Sequence, residues 1–104
     1  MKIGMIITPS INKYTKLKPV FHLKQRAFSD GEETYYKNVV DVSHYHRFQK
    51  DRSCFYDYGI YMGYKYSNLY LDGVKKHHML LVGETLACLT GYEFRYIEEV
   101  AEEN

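Results

Sequence analysis

The stretch VKKHHMLLVGETLACLTG, residues 74–91, decides the fold class. Read at helical period, Val74, His78, Leu81, Thr85 and Cys88 form one stripe, with Leu89 beside it. Asp72 is placed to cap the N-terminus. Gly91 stands where a left-handed C′ residue belongs, followed by apolar Tyr92. These signals predict one helix over 74–91. Gly83 counts against it, since a mid-helix glycine costs roughly 1 kcal/mol relative to alanine. The rival reading is a strand over 77–82 followed by a short helix over 84–90.

Upstream of this stretch the chain reads as sheet. KIGMIIT (2–8) is β-branched and apolar, and is ended by Pro9-Ser10. Residues 10–19 form a polar, Lys-rich loop closed by Pro19, and VFHLKQRAF (20–28) alternates weakly as a second strand. SDGEE (29–33) is turn chemistry. TYYKNVVDVSHYHRF (34–48) is read as a strand, because the branched Cβ atoms of Val39, Val40 and Val42 suit a pleat better than a helix. Its face from Val40 runs Val40, Val42, His44, His46, Phe48.

CFYDYGIYMGYKYSNLYLDG (54–73) contains Phe55 and six tyrosines. Its even positions from Cys54 to Tyr66 are all apolar or aromatic, a period-2 signal. At about 3.3 Å per residue an unbroken strand would run roughly 43 Å, too long for a small domain, so a bend at Gly59 or Gly63, or two strands, is expected. The even side is expected to pack under the helix, with Tyr56 and Tyr66 at its surface edges. YEFRYIEEV (92–100) is read as a last strand and 101–104 as a frayed acidic tail. The expectation is a single domain, 1–104, of α+β class: a small, mostly antiparallel sheet with one helix on a face.

At 104 residues, a chain with 45% apolar and 26% charged residues suits one globular domain. MKIGMIITPS does not read as a signal peptide, and MLLV (79–82) is too short to span a bilayer. Cys54 and Cys88 form no metal-type pair. A reducing, cytoplasmic location with no membrane association is expected.

The net charge of +1 hides a gradient: residues 1–28 carry +6 with no acid, and residues 91–104 carry −4. Lys13, Lys16, Lys18, Lys24 and Arg26, interleaved with Tyr14, Phe21 and His22, have the composition of a phosphate-backbone reader. The plainer alternative is pairing with Glu93, Glu98 and Glu99 across strands. Tyr56 and Tyr66 are candidate stacking or partner-anchoring residues. In a strand, His44 and His46 share a face and, with Arg47 as a phosphate clamp, could work as an acid–base pair or as metal ligands. H-x-H alone specifies no metal, so neither metal nor cofactor is expected. No G-x-S-x-G, H-E-x-x-H or P-loop occurs.

The expected function is a small accessory binding protein, of the kind mobile elements carry. It would recognise a polyanion, nucleic acid above all, or a protein partner, with a homodimer through a strand edge also open. The alternative is a small phosphodiester or nucleotide hydrolase using His44 and His46.

Overall fold

A computed structural model describes residues 1–10, 18–29, 31–44, 53–67 and 73–100. The strands are β1 (Ile6–Pro9), β2 (Pro19–Ser29), β3 (Thr34–His44), β4 (Phe55–Tyr56), β5 (Gly59–Ser67), β6 (Lys75–Val82), β7 (Thr85–Leu89) and β8 (Ile97–Glu99). One short 3₁₀ helix, η1 (Gly91–Tyr96), precedes β8. They form one mixed sheet in the order β4-β2-β3-β7-β6-β5-β1-β8. Among the described residues only the β3–β7 pair is parallel, through Val39↔Cys88 and Val40↔Leu89.

The α+β expectation is therefore wrong. The stretch 74–91 is a hairpin, not a helix. Its strands meet through Val82↔Thr85, Leu81↔Leu86, Leu80↔Ala87 and Met79↔Cys88. Gly83 takes φ +63 at the first position of a two-residue turn, which is the backbone that turn requires. Once the turn is allowed for, Leu80, Val82, Ala87 and Leu89 alternate into one buried cluster. The helical stripe was a coincidence of spacing across a turn. The predicted last strand over 92–100 is likewise shortened, with η1 filling its first half and β8 its end. The first strand starts only at Ile6.

Two other readings hold among the described residues. The turn after β2 closes a long hairpin from Pro19↔His44 to Ser29↔Thr34. On β3, Val40 and Val42 face the main core as the alternation required, while Val39 joins a smaller cluster with Cys88 and Met79 on the opposite face.

The sheet is rolled, not flat. β4 and β5 stand five places apart in the strand order, which would be roughly 24 Å in a flat sheet. Yet only Asp57 and Tyr58 separate them in sequence, and three Cα steps reach at most about 11 Å. The sheet must therefore curl back on itself, with 55–67 acting as one bent strand that lies at one end of the order and again near the other. Ile7 of β1 and Phe21 of β2, near opposite ends of the order, accordingly share one core. Gly59 allows the close approach: a Cβ there would lie 3.3 Å from Val82 Cγ2 and 3.5 Å from Phe21 Cε2. Thr8 Oγ1 donates to the Asp57 carbonyl (2.9 Å), and Lys18 pairs with the Asp57 carboxylate (2.9 Å), tying the seam.

The tyrosine strand changes its inward side twice. Tyr56 turns inward beside Phe21. After the break at Asp57–Tyr58 the inward residues are Gly59 and Tyr61, so Tyr58 and Met62 are exposed. A β-bulge between Tyr61 and Tyr64, with Gly63 at φ +89, then puts Tyr64 on the side of Tyr61. Of the expected alternatives, the bend at Gly63 occurs and the stretch is also divided into two strands, at Asp57–Tyr58, but the even face is not the core.

Candidate functional site

Beyond the rolled part of the sheet, β5 and β6 continue as a two-stranded ribbon with Tyr64↔His78 and Tyr66↔Lys76 directly opposite. Cross-strand partners share a face, and so do positions two apart. Tyr64, Tyr66, Lys76 and His78 therefore form one surface, continuous with the inward side that carries Tyr61 and Leu80. The bulge at Gly63 makes this possible: residues 61 and 64 would otherwise point to opposite faces.

η1 completes the surface. Phe94 lies flat on the His78 imidazole, with centroids 3.8 Å apart and planes at 11°. Tyr64 meets His78 edge-on at 6.3 Å and Tyr66 edge-on at 5.9 Å. Lys76 Nζ is 4.1 Å from the Tyr64 ring centroid, a cation–π contact. Beneath them, the Tyr61 hydroxyl and His78 Nδ1 are hydrogen-bonded at 2.7 Å. Burial holds His78 below the ordinary imidazole range, and the Lys76 and His77 charges add to the effect. Burial pushes the Tyr61 phenol up. Both partners are thus neutral near pH 7. Tyr64 and Tyr66 keep 54% and 65% of their surface exposed. The result is an aromatic platform with a cation on it, wet on one side and pinned from below.

A second feature lies on the other side of η1. Ser10, Pro19, Val42, His44, Glu93 and Tyr96 line a pocket of about 260 Å3. The Glu93 carboxyl is half-buried and accepts a hydrogen bond from the Val42 backbone. Burial raises its pKa, the Val42 bond opposes that, Asp41 adds to the rise and Lys24 opposes it. Another cavity, about 430 Å3, is an open groove lined by Ile6, Tyr58, Ile60, Leu81 and Val100 together with two glycines. It follows the cross-strand row Ile6↔Ile60↔Leu81 and carries no acid, base or cation among its lining residues.

The sequence-predicted site residues are scattered. Lys18 and Lys24 are engaged, by Asp57 at 2.9 Å and by Asp41 at 2.6 Å. Arg26 lies on β2 opposite Lys37. Tyr56 packs on the core, whereas Tyr66 is on the platform. His44 ends β3 at the Glu93 pocket. Lys13, Lys16, His46 and Arg47 lie outside the described residues. Among the described residues no group of three or more His, Cys, Asp or Glu side chains is placed to hold a metal. No helix of the described residues is long and apolar enough to cross a membrane.

Sequence reasoning missed Tyr61, Tyr64, Lys76, His78 and Phe94 as a group. The one available signal was a glycine inside an alternating run, which marks a bulge and therefore a change of face.

No protein family, no curated protein and no solved structure matches this chain.

Proposed function

We propose that this chain is a small rolled-sheet module that binds single-stranded nucleic acid on the platform of Tyr64, Tyr66, His78 and Phe94. One observation carries the reading: exposed aromatic rings and Lys76 share one face of a ribbon. Bases stack on such rings whatever their sequence, and nearby cations hold the phosphates. Lys13 and Lys16 join Lys76 as phosphate contacts on sequence grounds. Lys18 and Lys24 contribute less, because Asp57 and Asp41 already neutralise them. A reducing, cytoplasmic setting accompanies this reading, with Cys88 serving as a small buried hydrophobe.

The test is fluorescence anisotropy with a short oligothymidylate and a duplex of the same length across a salt series, with strand integrity followed on a gel. Single-strand binding that weakens with salt, on an intact oligonucleotide, is expected. Cleavage abolished by His44→Ala would replace binding with hydrolysis as the function. No binding at low salt would sink the reading and turn attention to the apolar row Ile6, Ile60 and Leu81 as a protein contact.

A further inference from the structure

The short helix η1 serves two surfaces at once. A 3₁₀ helix has three residues per turn, so Glu93 and Tyr96 project on one side and Phe94 about 120° away. Phe94 meets the ribbon through His78, and Glu93 and Tyr96 wall the pocket with His44. At roughly 2 Å rise per residue η1 is about 12 Å long, so a nucleotide strand on the platform has the pocket within a few bonds' reach.

The pocket is too small for a drug-sized molecule but large enough for a single ring system. Among the described residues, its chemistry disfavours a phosphate. Glu93 is a carboxylate, Asp41 lies near it, and Lys24, the nearby cation, is already paired with Asp41 at 2.6 Å. An anion would be repelled, so the part of a nucleotide that fits is the base. A carboxylate only accepts hydrogen bonds, through two oxygens side by side, and one Val42 N–H leaves most of its lone pairs open. Guanine is the common base whose Watson–Crick edge offers two adjacent donors, N1–H and the N2 amino group. Adenine and cytosine offer one amino donor beside an acceptor that the carboxylate would repel.

We propose that the pocket bounded by Val42, His44, Glu93 and Tyr96 takes one unstacked guanine, with N1–H and N2–H donating to the two oxygens of Glu93. This rests on the platform holding the strand. It adds a preference for one base to a surface that stacking alone would leave indifferent to sequence.

The test compares oligothymidylates carrying a single guanine, adenine or cytosine with the all-thymine parent. The guanine oligonucleotide is expected to bind about 5- to 100-fold more tightly than the parent, the range of one bidentate base contact. Glu93→Gln should bring that ratio close to one, because an amide presents a donor where guanine needs an acceptor. Tyr66→Ala should weaken all four oligonucleotides together and keep the ratio. Titration of the wild-type protein with guanosine, followed at the Val42 amide by NMR, needs no variant to fold; a shift absent with thymidine is expected. Equal binding of all oligonucleotides and no guanosine shift would overturn the pocket while leaving the platform standing. A guanosine shift without oligothymidylate binding would remove the platform and keep the pocket's base preference.

Discussion

The His78 imidazole of β6 is stacked on the Phe94 ring of η1 at 3.8 Å, and its Nδ1 is hydrogen-bonded to the Tyr61 hydroxyl at 2.7 Å. One ring thereby joins the ribbon, the core of the rolled sheet and the short helix that closes the chain's path into β8. Protonating it would place a charge in a half-buried stack beside Lys76.

That placement predicts a pH dependence of stability. The folded-state pKa of His78 is lowered from the ordinary 6.5. Stability is therefore fully present above about 6.5 and is lost as pH falls through the lower folded value. Thermal melts from pH 8 down to 5 should show this loss, and His78→Phe should flatten that part of the slope. A melt as steep in the variant as in the wild type would contradict the assignment.

Glu93 carries the opposite sign. Its folded pKa is raised above the ordinary 4.5, so its contribution is most favourable below that value and is lost as pH rises through the folded pKa. Glu93→Gln keeps an acceptor for the Val42 N–H and removes the charge. It should raise the melting temperature near pH 7, with the gain vanishing below the ordinary carboxyl pKa.

Gly83 should be intolerant of any side chain. Its φ is +63, and a Cβ would lie 2.9 Å from Tyr56 Cε1. Gly83→Ala combines a left-handed backbone with a clash against a ring packed on the core, and should cost about 1–3 kcal/mol in denaturant unfolding. Gly4 also has positive φ (+92), but nothing lies within 4 Å of its Cβ position. Gly4→Ala should cost less, and the difference between the two measures the Tyr56 contact.

Binding should separate the two kinds of tyrosine. Tyr64→Ala or Tyr66→Ala should weaken single-strand affinity about 5- to 100-fold each, at the scale of one base stacked on one ring, with little change in melting temperature. Tyr56→Ala should do the reverse, lowering stability by way of the core it packs on. Lys76→Gln should reduce the salt slope of binding by about one, whereas Lys18→Gln, whose partner is Asp57, should leave it nearly unchanged.

Much of the sheet was legible from local pattern. β3 was readable because branched residues at Val39, Val40 and Val42 favour a pleat, and the turn after β2 because glycine and small polar residues mark reversals. The hairpin of β6 and β7 was not. Its inward residues occur at 78, 80 and 82, then at 85, 87 and 89, and the two-residue turn between the runs shifts the phase enough to mimic a helical stripe. Gly83, read as a flaw in a helix, was the turn itself.

By itself the sequence determined that the chain is apolar enough to fold, where most strands run, and that the tyrosine strand cannot run unbroken through Gly59 and Gly63. These follow from composition, strand length and the backbone freedom of glycine, all of them local quantities. Tertiary structure alone decided which tyrosines are wet. Each break or bulge changes the inward side, and the number of such changes depends on how the sheet closes and on which residue it leaves opposite. The same holds for the platform and the Glu93 pocket. Their members come from the segment after β1 and from β2, β3, β5, β6 and η1, and no spacing along the chain records that closure brings them together.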